Sequence, residues 1–133
     1  MAELIAALAL VTFLMFLDYC LTVLGLSHYK KECCKHIRIE TYELNPVFRN
    51  DIKNGIYSLK HLRAVVAINL FLISTYLFLH LDRIVAFGDT LFIVVEGFFI
   101  AIYAFMNYRH IRNILVFSSL EKNPQDIKSV VPL

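Results

Sequence analysis

Residues 2–26 read AELIAALALVTFLMFLDYCLTVLGL, a run whose only carboxyl groups are Glu3, near its start, and Asp18. At a rise of about 1.5 Å per residue it is long enough to cross a hydrocarbon core of about 30 Å. A cleaved signal peptide opens on basic residues and closes on a small-residue cleavage site. This stretch does neither, so it predicts a permanent membrane helix.

The whole chain agrees with that reading. It has 133 residues, 59% of them hydrophobic and 18% charged, and a mean hydropathy of +0.64. A soluble domain holds about 45–50% apolar and about 25% charged residues. The apolar content excludes a disordered tail. A formal charge of +2 gives no electrostatic footprint for nucleic acid, so no nucleic-acid partner is expected. Cys20, Cys33 and Cys34 cannot all pair, and two of them are adjacent, which argues against a secreted disulfide scaffold. Neither an N-x-S/T acceptor nor a lipidation motif occurs, which fits a prokaryotic inner membrane.

Two further spans follow. Residues 62–81, LRAVVAINLFLISTYLFLHL, carry Asn69, Ser74 and Thr75 as polar interruptions, with Ser58 ahead as an N-cap. Residues 90–107, TLFIVVEGFFIAIYAFMN, follow a Gly88-Asp89-Thr90 cap signal and hold Glu96. The link between them is short, so the second and third spans are antiparallel neighbours. The expected fold is therefore all-α: an integral membrane protein of three transmembrane helices in one membrane domain, residues 1–133.

Twelve of the thirteen lysines and arginines fall in residues 27–63 or after residue 107, and Arg83 is the exception. Basic residues resist export, which puts the loop of residues 27–61 and the tail of residues 108–133 in the cytoplasm and the amino terminus outside. Within the loop, Asn45-Pro46 opens a short interfacial helix, Pro46 to Lys53, that ends at Asn54-Gly55. Beyond the third span, YRHIRNILVF can extend the helix along the membrane surface.

Polar groups in the spans are the functional candidates. An aspartate near a span's middle costs about 2.5–3.5 kcal/mol before pairing. On a 3.6-residue period Asp18 shares a face with Val11, Met15, Thr22 and Gly25. Asp18 and Asn69 are expected at similar depth, where they can meet. Glu96 sits with Ile93, Phe99, Ile100 and Tyr103, its depth about 5 Å from that of Asp18 by helical rise. Interhelical glue and an ion, proton or solute site both account for such groups. His61, His80 and His110 lie near span ends, where interfacial anchoring is the default.

Asp18-x-x-x-Thr22-x-x-Gly25, then Glu43-x-Asn45-Pro46, then Gly55 and Lys60, resembles a small prokaryotic membrane-protein family of unknown function over residues 10–80. The resemblance implies Asp18, Thr22, Glu43, Asn45, Pro46 and Lys60 as the family-like residues, and it implies no reaction. Read physically, two acids, an amide and a lysine stand where the first two helices reach the interface. Such a set can pin the helices together or bind a lipid head group, a cation or a polar solute.

His28, Cys33, Cys34 and His36 place thiols and imidazoles within nine residues, a metal-ligand chemistry without a standard spacing. A solvated basic loop, or acylation of the cysteines near the bilayer, is the favoured reading over a metal site, and no cofactor is expected. No H-E-x-x-H helix, G-x-S-x-G elbow or phosphate loop occurs. The expected role is a non-enzymatic membrane subunit, embedded in lipid and joined to copies of itself or to a membrane partner. The alternatives are an oligomeric transporter or channel for an ion, proton or polar solute, and then an intramembrane or lipid-modifying enzyme.

Overall fold

The computed structural model describes residues 2–31, 59–81 and 88–122, and these residues are entirely helical: α1 (Ala2–Lys31), α2 (Leu59–Leu81) and α3 (Gly88–Lys122). All three are long and apolar enough to span a membrane. Large apolar side chains such as Phe13, Phe16, Phe71, Phe78, Phe98 and Phe105 point outward. In water that surface would drive aggregation; against lipid tails it is the solvated face. The interfacial helix expected over Pro46 to Lys53 lies outside the described residues.

α1 runs antiparallel to α2 and parallel to α3, so the three helices form an up-down-up bundle. Thr12 meets Asn69 and Tyr19 meets His61 across the first pair. Leu14 meets Asn107 and Tyr29 meets Phe117 across the second. α1 and α3 share the most extensive interface. Its basis is a sequence period: Leu4, Ala7, Val11, Met15, Asp18, Thr22, Gly25 and Tyr29 are all buried, at spacings of three or four. That is the repeat that keeps one seam of a helix facing a partner in left-handed bundles. α3 answers with Phe92, Phe99, Tyr103, Asn107, His110 and Phe117, buried or half-buried at spacings of three, four or seven.

The helix ends depart from the sequence reading. α1 continues five residues past Leu26, and α2 begins three residues before Leu62. The largest difference is α3, which does not end at Asn107 but runs unbroken to Lys122. Thirty-five residues make a rod of about 52 Å, well beyond one hydrocarbon core. The basic segment after Asn107 continues the same helix because its seam positions, His110 and Phe117, stay packed on α1. Packing along the α1 surface holds it, rather than the bilayer surface.

At the opposite end the α2–α3 hairpin is clamped. A Cβ on Gly88 would stand 2.9 Å from the Leu79 backbone oxygen, so only glycine permits this approach. The His80 Nδ1–H donates to the Tyr76 carbonyl (2.8 Å), and the His80 ring stacks on Tyr76 at 4.0 Å. Asp89, in the first turn of α3, lies 2.6 Å from His80 Nε2. A second hydrogen, on Nε2 or on the carboxyl, completes that contact.

The interior is layered along the bundle axis. Leu4, Ala7, Val11, Met15, Leu72, Tyr76, Leu79 and Phe92 form an apolar core in the hairpin half. Towards the end that carries Lys30, Lys60, Arg63, Arg109 and Arg112, the buried positions turn polar: Asp18, Thr22, His61, Asn107 and His110. Leu26, Tyr29 and Phe117, also buried, close the α1–α3 seam beyond them.

Candidate functional site

The polar layer is built from seam positions of all three helices. Asp18 and Thr22 are one turn apart on α1, and Asn107 and His110 are one turn apart on α3, so the two pairs face each other. Asp18 is 6% exposed, Asn107 4% and His110 1%. His61, buried at the start of α2, flanks them with its ring centroid 4.9 Å from that of Tyr19.

The hydrogens in this layer can be assigned from its bonds. Thr22 Oγ1 donates to the Asp18 backbone carbonyl at 2.8 Å, which uses the hydroxyl's single hydrogen. His110 Nε2 lies 3.2 Å from the same hydroxyl, so Nε2 carries the hydrogen and donates to Thr22. Asp18 Oδ1 also lies 3.2 Å from Nε2, at ion-pair distance. With the N–H directed at Thr22, that oxygen accepts no hydrogen bond among the described residues. Asn107 is split in the same way. Its Nδ2 donates to the Leu14 carbonyl at 3.1 Å, while its buried Oδ1 accepts nothing among the described residues.

A second polar contact lies six residues nearer the hairpin end on α1, about 9 Å by helical rise. Thr12 Oγ1 and Asn69 exchange bonds, at 3.1 Å to Oδ1 and 3.0 Å from Nδ2, and Nδ2 also donates to the Val65 carbonyl at 2.8 Å. One contact ties α1 to α3 and the other ties α1 to α2.

The structure brings Asp18 and Thr22 together but does not join Asp18 to Asn69, whose partner is Thr12. Glu96 is far from both. Asp18 meets His110, fourteen residues beyond Glu96 on α3, so the two carboxyls are about 21 Å apart along the axis instead of about 5 Å. The earlier figure counted depth from Asn107 as the helix end, which it is not. Lys60 is exposed, one residue before the buried His61, and His28 is half-buried on α1. Glu43, Asn45, Pro46, Cys33, Cys34 and His36 lie outside the described residues. Among the described residues no three of His, Cys, Asp and Glu converge as a metal would need.

Sequence reasoning missed Asn107, His110, His61 and Thr12. His110 reads as an interfacial anchor when the third span is ended at Asn107, and His61 when the second is begun at Leu62. The signal that finds His110 is the seam period, which carries on past Asn107 to Phe117. The chain matches no family model, no curated protein and no solved structure.

Proposed function

We propose that this chain is a non-enzymatic membrane subunit that works by self-association, through the face of α3 around Glu96. What supports the reading is how the polar groups of the spans are used. Thr12, Asp18, Thr22, Asn69, Asn107 and His110 meet one another or the backbone inside a single chain. Glu96, half-buried on α3, makes no hydrogen bond or ion pair with a described residue. A carboxyl left in hydrocarbon is costly, and a neighbouring helix can supply its donor. Gly97 beside it and Ala104, two turns further along α3, are exposed, and a Cβ on Gly97 would meet nothing within 4 Å. Small residues let another helix backbone come close, and van der Waals contact and hydrogen bonds then drive association in lipid. Three helices are also few for enclosing a pathway alone.

The basic end of the bundle belongs on the cytoplasmic side of a cell membrane, with the amino terminus outside, because lysine and arginine resist export. The test of self-association is the particle mass in nanodiscs by native mass spectrometry. The expected result is a defined multiple of the 15.4 kDa chain that falls to one copy in Glu96→Leu and in Gly97→Leu. A wild-type single copy overturns the reading.

A further inference from the structure

The Asp18–Asn107 pair carries more than structural glue requires. Two oxygen acceptors, Asp18 Oδ1 and Asn107 Oδ1, are buried on facing helices and receive no hydrogen bond among the described residues. A buried acceptor without a donor is costly, and a buried carboxylate oxygen is more so. Both belong to side chains at least nine-tenths covered. The two side chains stand at neighbouring levels along the axis. The Asn107 amide is fixed at the Leu14 carbonyl, and Cβ bonds tilt towards a helix N-terminus, which carries the Asp18 carboxyl from its Cα back towards that same carbonyl.

The chemistry of the pair selects its occupant. The atoms without a hydrogen-bond partner are two oxygens and His110 Nδ1, whose lone pair diverges from the Nε2 edge that meets Asp18, so the acceptors that face Asp18 are oxygens. The nitrogen nearest Asp18, His110 Nε2, presents a hydrogen directed at Thr22 and so no lone pair. Oxygen-only sets suit hard cations, whereas imidazole and thiolate suit zinc, copper and iron. Calcium and magnesium are held by several carboxylates or by phosphates, and this layer has one carboxylate. One negative charge balanced by one positive charge is also the cheapest arrangement in a low-dielectric interior.

We infer that Asp18 and Asn107 bind one small monovalent cation between α1 and α3, with the carboxylate supplying the charge and the amide oxygen a second ligand. The site goes beyond self-association, since it lies inside one chain and on a different part of α3 from Glu96. Binding joins α1 to α3 and stabilises the folded bundle by mass action.

The test uses the full chain in nanodiscs of zwitterionic lipid at fixed pH and ionic strength, with choline replaced stepwise by sodium, potassium or ammonium. Two readouts are taken: the unfolding midpoint, and equilibrium binding of radioactive sodium and of rubidium as the potassium analogue. The expected result is a saturable rise in midpoint with at least one of the three ions and one bound ion per chain. Asp18→Asn, which keeps size and removes charge, abolishes both. Asn107→Ala weakens binding at least tenfold, and Thr12→Val, at the separate polar contact, leaves it unchanged. Because wild type alone reports the cation effect, a variant that fails to fold does not remove the test. No difference from choline up to half-molar cation overturns the site. So does an equal response in folded Asp18→Asn, which would assign the effect to bulk salt or to lipid.

Discussion

Asp18 shows how one residue's environment is set by the hydrogens its neighbours have left to give. Thr22 spends its hydroxyl hydrogen on a backbone carbonyl, His110 therefore spends its Nε2 hydrogen on Thr22, and the carboxyl oxygen 3.2 Å from that nitrogen accepts no hydrogen bond among the described residues. Thr12 and Asn69 differ, because each offers the other both a donor and an acceptor. Hydrogen bonds between membrane helices average about 0.6 kcal/mol and reach about 1.7 kcal/mol. Thr12→Val and Asn69→Leu are each expected to cost within that range. Together they should cost clearly less than their sum, since either change alone already breaks the exchange. Reversible unfolding in bicelles measures all four corners of the cycle; strict additivity would mean that the two side chains do not act as a pair. The sequence pointed to Asn69 as a membrane amide in need of a partner. It could not choose between Thr12 and Asp18, because both lie on α1 and the axial register of α2 decides which one is met.

At the scale of an element, α3 is held by its period rather than by its hydropathy. Its second half carries Arg109, Arg112 and Lys122, yet it stays in one helix because His110 and Phe117 remain on the seam, Phe117 with its ring centroid 5.8 Å from Tyr29. Inserting one alanine between Tyr108 and Arg109 turns everything beyond it by about 100°. The helix is expected to survive the insertion, while His110 and Phe117 leave the seam. With Cys20, Cys33 and Cys34 replaced by serine, a Tyr29→Cys, Phe117→Cys pair should crosslink readily in the parent and at least tenfold more slowly in the insertion variant. Equal rates would show that the end of α3 is not positioned by the seam. A hydropathy run reads only where the apolar residues stop. A heptad-like period reads where packing stops, and here the two end-points, Asn107 and Phe117, differ by ten residues.

For the whole molecule, the three helices sort their surroundings by layer: lipid-facing aromatics outside, an apolar core towards the hairpin, and a polar layer towards the basic end. The orientation drawn from basic residues is tested on the same cysteine-free background. Glu3→Cys, exposed at the amino end, should react with a membrane-impermeant maleimide in intact cells, whereas Ser119→Cys, exposed at the basic end, should react only once the membrane is opened. The reverse pattern would invert the topology and place the Asp18 layer in the outer half.

What the sequence determined by itself is the class of molecule, since hydropathy and length are local sums. Three runs too apolar for water and long enough for a bilayer leave no other folded solution, and Asp18 and Glu96 stand out in them as groups in the wrong solvent. Which polar groups meet was decided only by tertiary structure. Pairing depends on the parallel register of α1 and α3 and on how far α3 extends, and both arise from contacts between residues more than eighty positions apart. That register puts Asp18 beside His110 and Asn107, leaves Asn69 to Thr12, and carries Glu96 away from them all.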